Sequence, residues 1–286
     1  MCRYLLQDGK KLSKQSLQDR FTDQAACFMQ KMVSHALSER LQINSRRQHE
    51  KFNRIIVSDS TIFQLPSEFS NVYRGSGGGG STAAMKVQYS YDVVSGSIIT
   101  LLNREGVNSY RSMAVPALQK NDLLIEDLGY FNIKRFQAIE KQAAYFLSRL
   151  FFGFRVYVKK ENEYEPLDLL AEEQKMQAGE LRQYQVYLGE EKLAVRLIIE
   201  KVPQQLAERK RRKLKTDKQN KRKNISRARL SFCNLNAYIT NTDPHDLPMQ
   251  QVRSYYSLRW QIEILFKAWK SVYHIDQVIP MLIENK

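Results

Sequence analysis

The sequence predicts an α/β fold, a mixed sheet flanked by helices, on three observations. Two short aliphatic runs, Ile55-Ile56-Val57 and Leu123-Leu124-Ile125, each lead into acidic residues and have the length of buried strands. Between them Ala84 and Lys86-Val87-Gln88-Tyr89-Ser90-Tyr91 alternate, turn at Asp92 to Gly96 and return as Ser97-Ile98-Ile99-Thr100-Leu101-Leu102, the pattern of a hairpin. Near the end, Tyr255 to Lys270 runs without Gly or Pro, which predicts a helix.

Composition bounds the rest. A chain of 286 residues, 43% hydrophobic, supports one large domain or two small ones with a real core. A formal charge of +15 points to a polyanionic partner, nucleic acid or an acidic membrane surface. Between Glu208 and Arg229 twelve Lys or Arg face only Glu208 and Asp217, so about +10 of the +15 lies in that segment. Cys2, Cys27 and Cys233 are odd in number and lack ligand spacing, which argues against disulfides and a zinc site and fits a reducing cytoplasm. His35, His49, His245 and His274 form no pair with ligand spacing. No apolar run approaches the roughly 20 residues of a membrane span, and no signal-peptide pattern opens the chain.

In chain order, residues 1–50 read as helical, with Leu17, Phe21, Ala25, Phe28, Met29 and Met32 at helical spacing. Packing is the plain reading of these helices and a DNA-binding unit the alternative. The strand at Ile55 ends in Ser58-Asp59-Ser60-Thr61. An aspartate at the end of an apolar strand is costly to bury unless paired or metal-bound, so Asp59 is a candidate ligand; a turn or cap role is the alternative. Residues 75–82, GSGGGGST, read as a mobile loop. Val115-Pro116-Ala117-Leu118 suggests a short helix. The strand at Leu123 ends in Glu126-Asp127-Leu128-Gly129-Tyr130, where alternation places Asp127 opposite Glu126, and Gly129 lets the chain enter a helix over Lys134 to Gln142.

A strand-like run at Ala144 to Arg149 precedes a β-rich stretch with strands at Arg155–Val158, Arg182–Leu188 and Leu193–Ile199. A basic helix or arm from Leu206 to Arg229 follows. Like charges this dense repel one another unless phosphates neutralise them, and Arg209, Arg211, Arg212 and Lys213 are its candidate DNA contacts; a solvated charged helix is the alternative. Ala237 to Thr242 makes a last strand, Asp243 to Pro248 turns, and Met249 starts the final helical segment.

At about 100° per residue, Tyr256, Arg259, Glu263 and Lys270 share one arc of that segment, while Leu258, Ile262, Leu265 and Trp269 form an apolar face. Taken alone, such a polar stripe is more often an ion-paired solvated face, Glu263 with Arg259 or Lys267.

Tyr256-x2-Arg259-x3-Glu263-x6-Lys270 resembles the signature of bacterial insertion-sequence DDE transposases of the IS-four type. Asp127-Leu-Gly-Tyr resembles the second catalytic motif of that family, and over about residues 50–275 the order strand-acid, hairpin, strand-acid, insertion, strand, helix-acid resembles its RNase H-like fold. The resemblance favours Asp127 over Glu126. It implies an RNase H-like core at 51–149 and 231–286, a β-rich insertion with its basic arm at 150–230, and an N-terminal helical segment at 1–50. It implies that Asp59, Asp127 and Glu263 are the catalytic metal ligands, holding two Mg2+ ions, with Mn2+ as a substitute, and that Tyr256, Arg259 and Lys270 hold DNA. The implied function is cut-and-paste transposition of an insertion sequence: nicking, hairpin formation at the transposon end, hairpin opening and strand transfer. The implied partner is double-stranded DNA, transposon ends and target, engaged by a homodimer near the bacterial nucleoid. Related enzymes stack a flipped base on an aromatic of the insertion, a role that here falls to a tyrosine such as Tyr184 or to none. Because family members continue well beyond the equivalent of Lys270, the resemblance also implies a truncated body, which keeps two alternatives open: an inactive DNA-binding remnant and an RNase H-like nuclease.

Overall fold

The aliphatic run at Ile55 opens a strand that continues well past its acid. In the computed structural model, which describes residues 51–76, 82–107, 109, 113–217 and 224–272 and positions 15, 16, 19, 20, 22, 24, 25, 28 and 32, β1 spans Ile55–Leu65, β2 Ala83–Asp92 and β3 Ile98–Glu105. β2 pairs antiparallel with β1 and β3, giving the predicted hairpin. Its turn is held by the Asp92 carboxylate, which accepts from the backbone N–H groups of Ile55, Val94 and Ser95, and Gly96 takes the positive φ of 71° that the turn needs.

The chain then forms β4 (Leu123–Glu126), α1 (Ile133–Glu140) and β5 (Tyr145–Arg149). The Asn132 side chain starts α1 by accepting from the N–H groups of Lys134 and Arg135. β6 (Val156–Lys160), β7 (Glu163–Pro166), α2 (Leu169–Gln174), β8 (Leu181–Leu188) and β9 (Leu193–Lys201) follow. Next come α3 (Gln204–Thr216), α4 (Arg227–Phe232), β10 (Leu235–Thr240), α5 (Met249–Ser257) and α6 (Trp260–Ser271). All ten strands lie in one mixed sheet of order β3-β2-β1-β4-β5-β10-β9-β8-β6-β7. β1, β4 and β5 run parallel, and the strands of the 150–230 region join the same sheet through the antiparallel pair β9–β10.

The central strands are buried on both faces, as their unbroken aliphatic runs require. Ile56, Leu124 and Phe146 point into one core with Phe136 and Ile139 of α1. Val57, Ile125 and Leu147 point into the other with Val252 and Tyr255 of α5 and Ile262 and Phe266 of α6. This parity sets the direction of every side chain at the strand ends.

Four expectations are revised. Asp59 lies inside β1, because β2 keeps pairing with β1 as far as Leu65. Residues 115–118 are not helical; the carbonyls of Met113, Ala114 and Ala117 accept from Arg135, Gln88 and Arg54 side chains, which keeps that segment extended. Among the described residues the basic arm forms two helices, α3 and α4. The segment from Met249 to Ser271 is also two helices, with a tighter turn at Leu258-Arg259 in which Leu258 N–H bonds the Tyr255 carbonyl and Gln261 N–H the Leu258 carbonyl. Of residues 1–50 only those isolated positions are described, with 15, 16, 24, 25, 28 and 32 helical; the rest of that helical reading, most of the glycine-rich loop, and His35, His49 and His274 lie outside the described residues. Among the described residues no helix is long and apolar enough to cross a membrane.

Candidate active site

The register of the parallel pair β1–β4 brings the two predicted aspartates together. The last aligned pair is Ser58 with Glu126, where β4 ends and β1 does not. One residue further, Asp59 and Asp127 leave the pair side by side, and by strand parity both point to the face that carries α6. Asp59 shares that face with Val57, and Asp127 with Ile125. Thus Asp59 sits in mid-strand at the position where its parallel neighbour departs, an open edge that admits a charged side chain.

α6 is laid over this edge by its apolar face. Ile262 and Phe266 are buried in the shared core, Phe266 and Trp269 pack on the Tyr89 ring, and the Tyr91 hydroxyl donates to Gln261 Oε1 at 3.0 Å. Glu263 then faces the two aspartates. The three acids, with Ser60, Gly129, Tyr130 and Phe266, line a cleft of about 420 Å3.

Arg259 lies at the centre of the three. Its Nη1 hydrogen-bonds Glu263 and lies 3.6 Å from Asp59 Oδ2, and its Nε lies 3.7 Å from Asp127 Oδ1. Burial works against its charge, but Tyr256, Asp127 and Glu263 more than offset this and hold the guanidinium above its ordinary pKa. Asp59 is pushed up to about 6, chiefly by burial and further by the charges of Asp127 and Glu263, against the Ser60 N–H bond at 2.8 Å and the Arg259 charge. One guanidinium therefore meets three carboxylates, which leaves the cluster negative and in electrostatic demand of a further cation.

A divalent ion can be tested against this donor set. An all-carboxylate set suits a hard cation such as Mg2+ or Mn2+, and the contact of all three acids with one guanidinium shows that they converge. The convergence is loose, since no group of three His, Cys, Asp or Glu among the described residues forms a ready-made ion cage. The residues fit the ion in donor chemistry, whereas the described geometry is not preformed around it.

The other predicted contacts separate. Tyr256 is buried, its ring 5.3 Å from that of Tyr238 and 5.7 Å from the Arg259 guanidinium carbon. Burial raises its hydroxyl pKa, and neither that hydroxyl nor Arg259 Nε makes a hydrogen bond of good geometry. Lys270 lies along β1, its ammonium 5.5 Å from the Phe63 ring centroid. Glu126 is turned to the opposite face, where Arg135 binds it through two bonds of 2.6 Å. Tyr184 donates to Glu172 at 2.7 Å.

Of the basic arm, Arg209 and Lys213 line a second groove of about 470 Å3 that runs from α3 to the α5–α6 junction. Tyr256 and Arg259 line it too, and the Arg259 guanidinium reaches from it to the three acids. Arg211 is turned away, bonding the Leu230 carbonyl and the Asn234 side chain. Arg212 is exposed and lies 3.8 Å from Glu208. Three groove residues escaped sequence reasoning: Lys210, Arg149 at the end of β5 and Arg253 on α5. Helical period would have found Lys210, which shares a face with Leu206 and Lys213; Arg149 and Arg253 come together only through the sheet order. Lys210 donates to the Leu235 carbonyl and Asn236 Oδ1, and its pKa falls to about 8, mainly through burial and then through Arg149.

The pattern of the family described as Transposase DDE domain matches residues 50–278, which includes all three acids. The chain belongs to the DDE transposase family. Among its relatives, the transposase for insertion sequence element IS231E of Bacillus thuringiensis subsp. finitimus is 33% identical over 93% of this chain and 60% of its own length. That for IS1151 of Clostridium perfringens is 32% identical over 97% of this chain and 63% of its own length. That for IS231F of Bacillus thuringiensis subsp. israelensis is 31% identical over 94% of this chain and 61% of its own length. This DDE chain thus spans about three fifths of the length of the relatives it matches.

Proposed function

We propose that this chain carries the catalytic core of a cut-and-paste insertion-sequence transposase, which cleaves double-stranded DNA at the transposon ends and joins it to target DNA. The observation that carries the reading is the convergence of Asp59, Asp127 and Glu263, from three separate elements, on one centre. The core is read as RNase H-like, residues 51–149 and 231–286, with residues 150–230 inserted between β5 and β10. The antiparallel β3-β2-β1 followed by parallel β1, β4 and β5 supports that reading.

In this reading Asp59, Asp127 and Glu263 hold two divalent ions, Mg2+ or Mn2+. Divalent ions held there would supply activation of an attacking oxygen and stabilisation of a leaving one for displacement at phosphorus. The protein's own part is positional. α6 is fixed by Ile262 and Phe266, so Glu263 is held against the sheet. The cationic groove takes the phosphodiester backbone, with Arg209, Lys213, Arg149 and Arg253 along it and Arg259 where it meets the acids. Lys270 extends the track along β1. Two such chains on paired ends make a homodimer.

The test is cleavage and joining of labelled DNA bearing the flanking terminal repeats, with Mg2+ or Mn2+, comparing wild type with Glu263→Gln. Metal-dependent nicking and joining that vanish in a folded variant are expected. Nicking without joining identifies a nuclease, and equal DNA binding with no cutting by either protein refutes catalysis by this chain.

A further inference from the structure

The acid that does not face the cleft has a job of its own. Glu126 directly precedes Asp127 on β4 and points to the other side of the sheet, 4% exposed. Arg135 of α1, equally buried, grips it in a fork, Nε to Oε2 and Nη2 to Oε1, both at 2.6 Å. The same guanidinium donates from Nη1 to the Met113 carbonyl at 2.6 Å and from Nη2 to the Ala114 carbonyl at 3.4 Å. Gln88 of β2 donates to that second carbonyl at 3.2 Å. The Arg135 guanidinium carbon also sits 5.1 Å from the centroid of Tyr130, which lines the cleft. One side chain therefore ties together the end of β4, the start of α1, the 113–114 segment and a wall of the cleft.

Asp127 lacks comparable anchoring. Its side chain does not cap the turn it opens, and among the described residues its contact is the ion pair with Arg259 at 3.7 Å. The place of its carboxylate is thus set by its backbone, held by Glu126 on one side and by the turn Leu128–Tyr130 on the other. A buried ion pair adds little stability over an apolar pair of the same volume, whereas its directional bonds hold atoms in place.

We infer that Glu126 and Arg135 are positioning residues. Their fork fixes the exit of β4 so that Asp127, and not its neighbour, meets the cation. This inference rests on the metal-ligand reading of the three acids above.

The experiment is Mn2+ titration followed by electron paramagnetic resonance, on the full chain as wild type, D127N, R135K and E126L/R135M. Circular dichroism and thermal melts confirm folding, and the apolar double variant covers the case in which an unpaired buried charge prevents it. Expected are Mn2+ binding by wild type, its loss in D127N, and a binding midpoint raised about tenfold in R135K and in E126L/R135M at native-like melting temperature. A folded R135K or E126L/R135M with the wild-type midpoint makes the pair merely structural and overturns the inference while leaving the metal reading intact. A wild type that binds no Mn2+ overturns both.

Discussion

Replacing Arg209 and Lys213 together by glutamine tests whether DNA follows the cationic groove. Five cations line it with side chains not bonded to backbone carbonyls of α4 or β10: Arg149, Arg209, Lys213, Arg253 and Arg259. If each neutralises one phosphate of a duplex, the logarithm of affinity falls with the logarithm of salt at a slope of about −4.5, at about −0.9 per contact. Between 50 and 200 mM salt that is a loss of roughly 500-fold. Removing two contacts brings the slope to about −2.7 and the loss to roughly 40-fold over the same range. Arg209 and Lys213 suit the purpose because among the described residues neither has an acidic partner to leave unpaired, unlike Arg253, which pairs with Glu200 at 2.8 Å. The assay is fluorescence anisotropy with a labelled duplex at five or more salt concentrations. A double variant with the wild-type slope would show that the DNA runs elsewhere.

Three further outcomes follow from the structure. Lys210, with its folded pKa lowered to about 8, is protonated more readily in the unfolded chain, so stability rises with pH between about 8 and its ordinary value near 10.4. Urea unfolding at pH 7.5 and 9.5 should differ by about 1 kcal/mol after allowance for partial exposure, and Lys210→Met should remove the difference. Arg54→Gln leaves the fully buried Asp122 carboxylate without the guanidinium bonds of 2.5 and 3.1 Å it now accepts, at a cost of about 3 kcal/mol in chemical denaturation. A loss under 1 kcal/mol would mean that the Gln119 N–H bond alone satisfies Asp122. Ile262→Ala removes a fully buried contact between α6 and the sheet, should cost about 3 kcal/mol, and should depress metal-dependent cleavage by loosening Glu263; an unchanged cleavage rate would argue that α6 is held by its aromatic contacts alone.

Much of this was legible because the signals are local. The hairpin at Ala83–Glu105, β4 ending at Glu126, the strands β8 and β9, and helical structure from Met249 onward follow from side-chain alternation and turn chemistry over a few residues. Where reading failed, a distant partner decided. Residues 115–118 form no helix because Arg54 takes the Ala117 carbonyl while side chains of β2 and α1 take the preceding carbonyls of Ala114 and Met113. Tyr256, placed by the helical wheel on the polar stripe, is buried against Tyr238, and the tighter turn at Leu258-Arg259 separates its helix from the one that carries Glu263.

By itself the sequence determined the α/β class and the concentration of positive charge in one segment, and it offered Asp59, Asp127 and Glu263 as the candidate acids. Strand parity alone also separates Glu126 from Asp127. Only the tertiary structure decided that β1 outruns β4 at Ser58, so that an aspartate inside a strand lies at an open edge. It alone placed Arg259 among the acids, and it alone joined Arg149 and Arg253 to the face of α3 that carries Arg209 and Lys213. The physical reason is common to all three. Side-chain direction within an element is set by backbone periodicity, which sequence displays, whereas the meeting of elements is set by sheet order and core packing between residues as much as two hundred positions apart.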